Sequence, residues 1–143
     1  MYINQISVFI ENKPGNLAKF TNFIAENQID MRAFEIADSS DFGIIRIIVD
    51  KPLDTLTLLK DNDWICNLTQ VIGVKIPDKP GAMAKAMNIL AEAGVSVEYV
   101  YTFLARGTDD ALMIFRVKEN DKVAAVLKKN NIKIVSQEDL LKM

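Results

Sequence analysis

The sequence predicts an α+β fold of two consecutive βαββαβ modules, each an antiparallel sheet with its helices on one face. Three observations predict it. The stretch "VFIENKPGNLAKFTNFIAENQIDMRAFEI", beginning at Val8, returns as "VKIPDKPGAMAKAMNILAEAGVSVEYVYT", beginning at Val74. With Pro14 set on Pro80, the copies share Lys13/Lys79, Gly15/Gly81, Ala18/Ala84, Lys19/Lys85, Asn22/Asn88, Ala25/Ala91 and Glu26/Glu92. In both halves, apolar residues recur first at every second position and then at helical spacing, in the same order.

The elements follow along the chain. Gln5 to Ile10 alternates, with Ile6, Val8 and Ile10 on one side, as a half-buried strand does. "ENKPGN" interrupts it, and Leu17, Phe20, Phe23 and Ile24 then recur at helical spacing up to Asn27. "IDMRAFEIAD" reads as a second strand, "SSDFG" as a turn and "IIRIIVD" as a third strand. A helix over Asp54 to Asn62 follows, with Leu56 and Leu59 inward, and "WICN" is a short fourth strand. The second half opens with the strand "TQVIGVKIP" and a helix from Ala82 to Ala93, closed by Gly94 in the left-handed position that ends many helices. Gln28 stands at the matching place in the first half, so that helix is expected to end differently, with Asn27 left-handed. "VSVEYVYTFLA" and "ALMIFRVK" are strands around the turn "RGTDD"; a helix from Asp121 to Asn130 and the strand "IKIV" complete the module. This is a ferredoxin-like arrangement, placed twice, over 1–68 and 69–143.

Half of the residues are apolar, enough for two small cores. A net charge of −2 and a pI near 5.2 leave no electrostatic footprint for nucleic acid. Lys and Arg are scattered among Asp and Glu, which offers no face to an acidic membrane. The longest apolar stretch, "FGIIRIIV", carries Arg46 and is too short to span a bilayer. No basic segment followed by an apolar run opens the sequence, and Cys66 is the single cysteine, so a cytoplasmic protein without a signal peptide is expected. The sequence has no histidine, which removes imidazole-based catalysis and ordinary zinc sites. No catalytic residue, metal or cofactor is expected.

The chemistry lies in the repeated Lys-Pro-Gly turn. Pro14 and Pro80 fix φ, remove a backbone donor and stop the first strand. Gly15 and Gly81 open backbone conformations closed to other residues and let another molecule approach the main chain. A helix starts immediately afterwards, so unpaired N–H groups point outward at the positive end of its dipole, a geometry that accepts a carboxylate or phosphate. Taken alone, one such turn reads first as a plain strand-to-helix connection. Tyr99, Tyr101 and Phe103 read as packing residues, as do Met83, Met87 and Met113. Arg46 and Arg116 are expected to be solvated or paired, and Asp109 and Asp110 to form a turn.

Both copies resemble ACT domains, small βαββαβ modules that bind amino acids and regulate metabolic enzymes. The resemblance rests on "ENKPGNLAKFTNFIAENQIDM" and "PDKPGAMAKAMNILAEAGVSV" with the strands and helix that follow, and it covers essentially the whole sequence. It implies a stand-alone, non-catalytic tandem protein holding a free amino acid where two modules meet. By the same resemblance, the ligand contacts are Asn12, Lys13, Pro14, Gly15, Asn16, Leu17 and Asp30 in the first copy. In the second they are Asp78, Lys79, Pro80, Gly81, Ala82, Met83 and Ser96. Main-chain groups after each glycine would take the carboxylate, and Asp78 or Asp30 the ammonium. Whether both copies bind stays open, since Asn12, Asn16 and Asp30 face Asp78, Ala82 and Ser96 in the alignment. Apolar residues in "DMRAFEIA" and "VSVEYVYT" lead us to expect a homodimer or larger assembly. A subunit that docks on an amino-acid biosynthetic enzyme without binding free ligand is the alternative.

Overall fold

The computed structural model describes residues 2–38, 41–104 and 107–143, so the turns "SSDFG" and "RGTDD" lie partly outside the described residues. Two compact units divide the chain. One is Asn4–Thr69; the other is Gln70–Met143 together with the residues up to Ile3.

The first unit contains β1 (Ile3–Glu11) from Asn4 onward, α1 (Asn16–Glu26), β2 (Met31–Asp38), β3 (Phe42–Val49), α2 (Pro52–Asp61) and the start of β4 (Ile65–Pro77). Its strand order is β2-β3-β1-β4. Antiparallel registers set Val8 against Ile45 and Phe34 against Ile47. Residues directly opposite share a face. Ile6, Val8, Ile10, Ile45 and Ile47 therefore lie on one side of the sheet, where Phe20 and Ile24 of α1 and Leu59 of α2 meet them. Each of these side chains contributes about 1.5–3 kcal/mol by leaving water.

The second unit takes the rest of β4, then α3 (Ala82–Glu92), β5 (Tyr99–Leu104), β6 (Asp110–Arg116), α4 (Asn120–Lys129), β7 (Lys133–Val135) and α5 (Gln137–Lys142). β6 lies between β4 and β5, and β7 also pairs with β4. Ile72, Val74 and Ile76 repeat the roles of Ile6, Val8 and Ile10 against Ala86 and Leu90 of α3 and Leu127 of α4. Tyr2 packs on this core and donates its hydroxyl to Asp121. Ile3 fills the space above Gly73, where an added Cβ would lie 2.5 Å from the Ile3 Cδ1.

The structure corrects the sequence reading in several places. "WICN" and "TQVIGVKIP" are one strand, β4. β2 and β5 begin at Met31 and Tyr99, later than their alternation suggested. Gln28, not Asn27, is the left-handed residue after α1, with φ of 54° against −95° for Asn27. The reason is the closing bond. Ile29 N–H reaches Ile24 C=O at 3.2 Å just as Val95 N–H reaches Leu90 C=O at 2.9 Å, and both need the preceding residue left-handed. Asp63 and Asn131 serve α2 and α4 in the same way. Met113 is core and Met87 packs against it, but Met83 is exposed. The arginines in the strands are paired, Arg46 with Glu35 at 2.9 Å and Arg116 with Glu98 at 3.6 Å.

Helix α5 was not expected. It starts with a capping box: the Ser136 hydroxyl accepts from Asp139 N–H at 3.1 Å, and the Asp139 carboxylate accepts from Ser136 N–H at 3.0 Å. Those hydrogen bonds hold the Asp139 pKa below its usual value. Among the described residues, no helix is long and apolar enough to cross a membrane.

Candidate functional site

The two Lys-Pro-Gly turns have the same backbone. Gly15 has φ 87° and ψ −13°, and Gly81 φ 88° and ψ −14°, each directly before its helix. That left-handed region penalises any residue with a Cβ. A Cβ at either glycine would meet no heavy atom of the described residues within 4 Å, so the backbone requires glycine while the space above it is open among those residues. No side chain among the described residues caps α1 or α3. The helical ladders begin with Lys19 N–H to Gly15 C=O at 2.9 Å and Lys85 N–H to Gly81 C=O at 3.0 Å. The N–H groups of Leu17 and Ala18, and of Met83 and Ala84, precede that ladder and have no partner inside their helices.

Around the turns the copies differ. The Asn12 amide donates to the Asp38 carboxylate at 2.7 Å, and its N–H donates to Asp41 C=O at 3.1 Å. Asn16 donates through its side chain to Glu11 C=O at 2.9 Å. Lys13 pairs with Glu11 at 2.7 Å; the hydrogen bond, and then the opposite charge, raise the lysine pKa and lower that of the glutamate. In the second copy Asp78 N–H donates to Asp109 C=O at 2.9 Å, while its carboxylate meets no partner among the described residues. Asp30 is paired with Arg32 at 3.1 Å. Ser96 lines a separate hollow of about 210 Å³ that also includes Glu98 and Lys122.

A larger groove, about 1050 Å³, opens beside α1 within the first unit. Lys13, Gly15 and Asn16 of the turn line it, as do Lys19, Phe23 and Trp64. The Trp64 ring meets Phe20 edge-on, with centroids 5.4 Å apart, and Phe23 at 5.7 Å. The Lys19 ammonium stands 5.9 Å from the Trp64 ring centroid, within range of a cation–π contact.

Fold and turns together match known proteins. The family model of the ACT domain pair fits residues 1–143. The chain belongs to the ACT domain pair family. A solved structure, protein BT0572 from Bacteroides thetaiotaomicron, is 38% identical with a TM-score of 0.91, covering 100% of this chain and 98% of that one. The ligand-free regulatory subunit of aspartate kinase from Thermus thermophilus shares the fold at 16% identity and TM-score 0.61, covering 90% of each chain. That from Thermus flavus does so at 18% and 0.58, covering 90% of this chain and 92% of that one. No curated protein matches.

In this ACT domain pair, only part of each expected constellation comes together. Lys13, Gly15 and Asn16 share the groove, whereas Asn12, Pro14 and Leu17 surround the turn without lining it, and Asp30 is not in its wall either. Asp78, Lys79, Pro80 and Gly81 form the second turn, Ala82 and Met83 open α3, and Ser96 belongs to the separate hollow. Sequence reasoning missed Trp64 as a wall residue. The available signal was a tryptophan where the second copy carries Ile132.

Proposed function

We propose that this ACT domain pair is a non-catalytic, cytoplasmic regulatory protein that binds a free amino acid at its Lys-Pro-Gly turns and works as a homodimer. The observation that carries the reading is the twinned glycine turn, with open space over the backbone and first-turn N–H groups free of side-chain caps. A ligand α-carboxylate complements those donors, and the Asp78 carboxylate, without a partner among the described residues, complements an α-ammonium. The fold shared with aspartate kinase regulatory subunits supports a regulatory role.

A thermal-shift screen of the common amino acids tests it. Ligand at about a hundred times its Kd adds roughly 2.7 kcal/mol to the native state, a rise of several degrees for a chain of this size. Asp78→Ala removes a proposed ammonium partner without touching the backbone and is expected to shrink that rise; Asp30→Ala also breaks the pair with Arg32, so its rise is read against its own baseline. Gly81→Val or Gly15→Val blocks the carboxylate position, with added backbone strain of its own. If no amino acid moves the wild-type melting curve at millimolar concentration, the reading fails. A subunit docking on a biosynthetic enzyme then takes its place, a second reading supported by the exposed Leu17, Phe34 and Ile36 of the first unit. A monomer by light scattering across a wide concentration range would remove the homodimer.

A further inference from the structure

We infer that the groove beside α1 makes the first module selective for a zwitterion with a large apolar side chain, an aromatic or branched aliphatic amino acid held against Trp64. This rests on the amino-acid reading above and narrows it to one module and one ligand class. The groove, about 1050 Å³ and open to solvent, slightly exceeds the usual range of small-molecule sites, so space does not exclude a bulky side chain.

Its wall supplies three kinds of contact. Trp64 and Phe23 are half-buried, and Ile65 is 72% exposed, an apolar surface left in water beside polar neighbours. Lys19 offers a cation, and Glu26 and Asp63 offer anions. Such mixed charge suits a molecule carrying both signs and disfavours a polyanion such as a nucleotide, because the wall holds two lysines against Glu11, Glu26 and Asp63. A carboxylate held at the N–H groups after Gly15 also draws the Lys19 ammonium, which lines the same groove, from above the Trp64 ring, leaving the ring face to an apolar side chain.

The second module shows that this wall is not a requirement of the fold. Setting left-handed Asp63 on left-handed Asn131 places Ile132 where the first module has Trp64 and Lys133 where it has Ile65. Phe23 corresponds to Ile89. The backbone closes identically there, with Trp64 N–H on Leu59 C=O and Ile132 N–H on Leu127 C=O, each at 3.0 Å.

Trp64 is the single tryptophan, so its emission reports the groove directly. The full chain is titrated with L-phenylalanine, L-leucine, L-serine, L-aspartate and L-lysine, following both the melting curve and the tryptophan emission, excited where phenylalanine does not absorb. The inference expects L-phenylalanine or L-leucine to raise the melting temperature and to change the emission saturably with the same midpoint. It expects Trp64→Leu and Lys19→Met each to weaken that binding at least tenfold. If Trp64→Leu fails to fold, Lys19→Met and the wild-type emission still decide. If a small or charged amino acid stabilises the protein while the emission stays flat, the amino-acid reading survives and this inference is overturned. If none of the common amino acids stabilises it, both fall.

Discussion

Phe20 fills the core of the first module from its helix, whereas in the second the ring comes from the sheet as Phe115, and the helix carries Ala86. Ile47 takes the sheet position in the first module. Large and small thus exchange places between two layers, all of them buried. A core is constrained by its total volume more than by which element supplies it. The opposite sheet face differs in kind. Glu35 faces Arg46 across β2 and β3, with a 2.9 Å ion pair, while Tyr101 faces Ile114 at the matching place in β5 and β6. A charged pair and a tyrosine–isoleucine pair occupy the same register, so the fold does not require opposite charges at that site.

The largest test of this comparison is Phe20→Ala. It is expected to cost about 3–5 kcal/mol, because the first module has Ile47 and not phenylalanine in its third strand. Adding Ile47→Phe, the second module's solution, is expected to recover part of that loss in chemical denaturation. If the double variant is no more stable than Phe20→Ala alone, the two cores are not equivalent by volume.

A smaller effect concerns the ion pair. Glu35→Ala leaves the Arg46 guanidinium, whose side chain is 12% exposed, without this partner and is expected to cost about 1.5–3 kcal/mol. Replacing both residues with the other module's pair, Glu35→Tyr with Arg46→Ile, is expected to cost less than the single change, as when a mostly buried ion pair yields to packed side chains. A double variant weaker than Glu35→Ala would show that the charges do something the tyrosine–isoleucine pair cannot.

The smallest effect lies at the helix ends. Gln28→Gly gives α1 the terminator that α3 has in Gly94 and is expected to stabilise by about 0.5–1 kcal/mol, relief of left-handed strain partly offset by chain entropy. Gly94→Gln is expected to cost a similar amount. Urea midpoints read both, and equal stability of all three chains would mean that residue identity at this cap is immaterial.

Much of the fold was legible because alternation and helical spacing are local. Ile6, Val8 and Ile10, and the second set at Ile72, Val74 and Ile76, declare their face without knowledge of any partner. What escaped depends on distant residues or on a single bond. Gln28 lacks a glycine's signature, and its left-handed turn is imposed by Ile29 reaching back to Ile24. The end of one strand and the start of the next fuse into β4 because no turn residue parts Asn67 from Gln70. The box at Ser136 and Asp139 is a local helix-start signal, but a helix of 6 residues is too short to add the apolar periodicity that would support it. At the site, the glycine turns were visible as a motif. The groove was not, since its wall joins α1 to the residues after α2.

Tyr2 and Ile3 are made before almost all of the module in which they pack. Tyr2 meets Asp121 across 119 positions, and Ile3 covers Gly73. Closing so long a loop costs only slightly more entropy than closing a moderate one, but contacts of such separation make folding slow. On the ribosome the first module's segment is complete once Thr69 has emerged. The second must wait for its own helices and then recruit residues synthesised before the first module existed. Until then an aromatic and an isoleucine remain without their burial partners, which makes those two residues, rather than the repeat itself, the natural place to look for the protein's slowest folding phase.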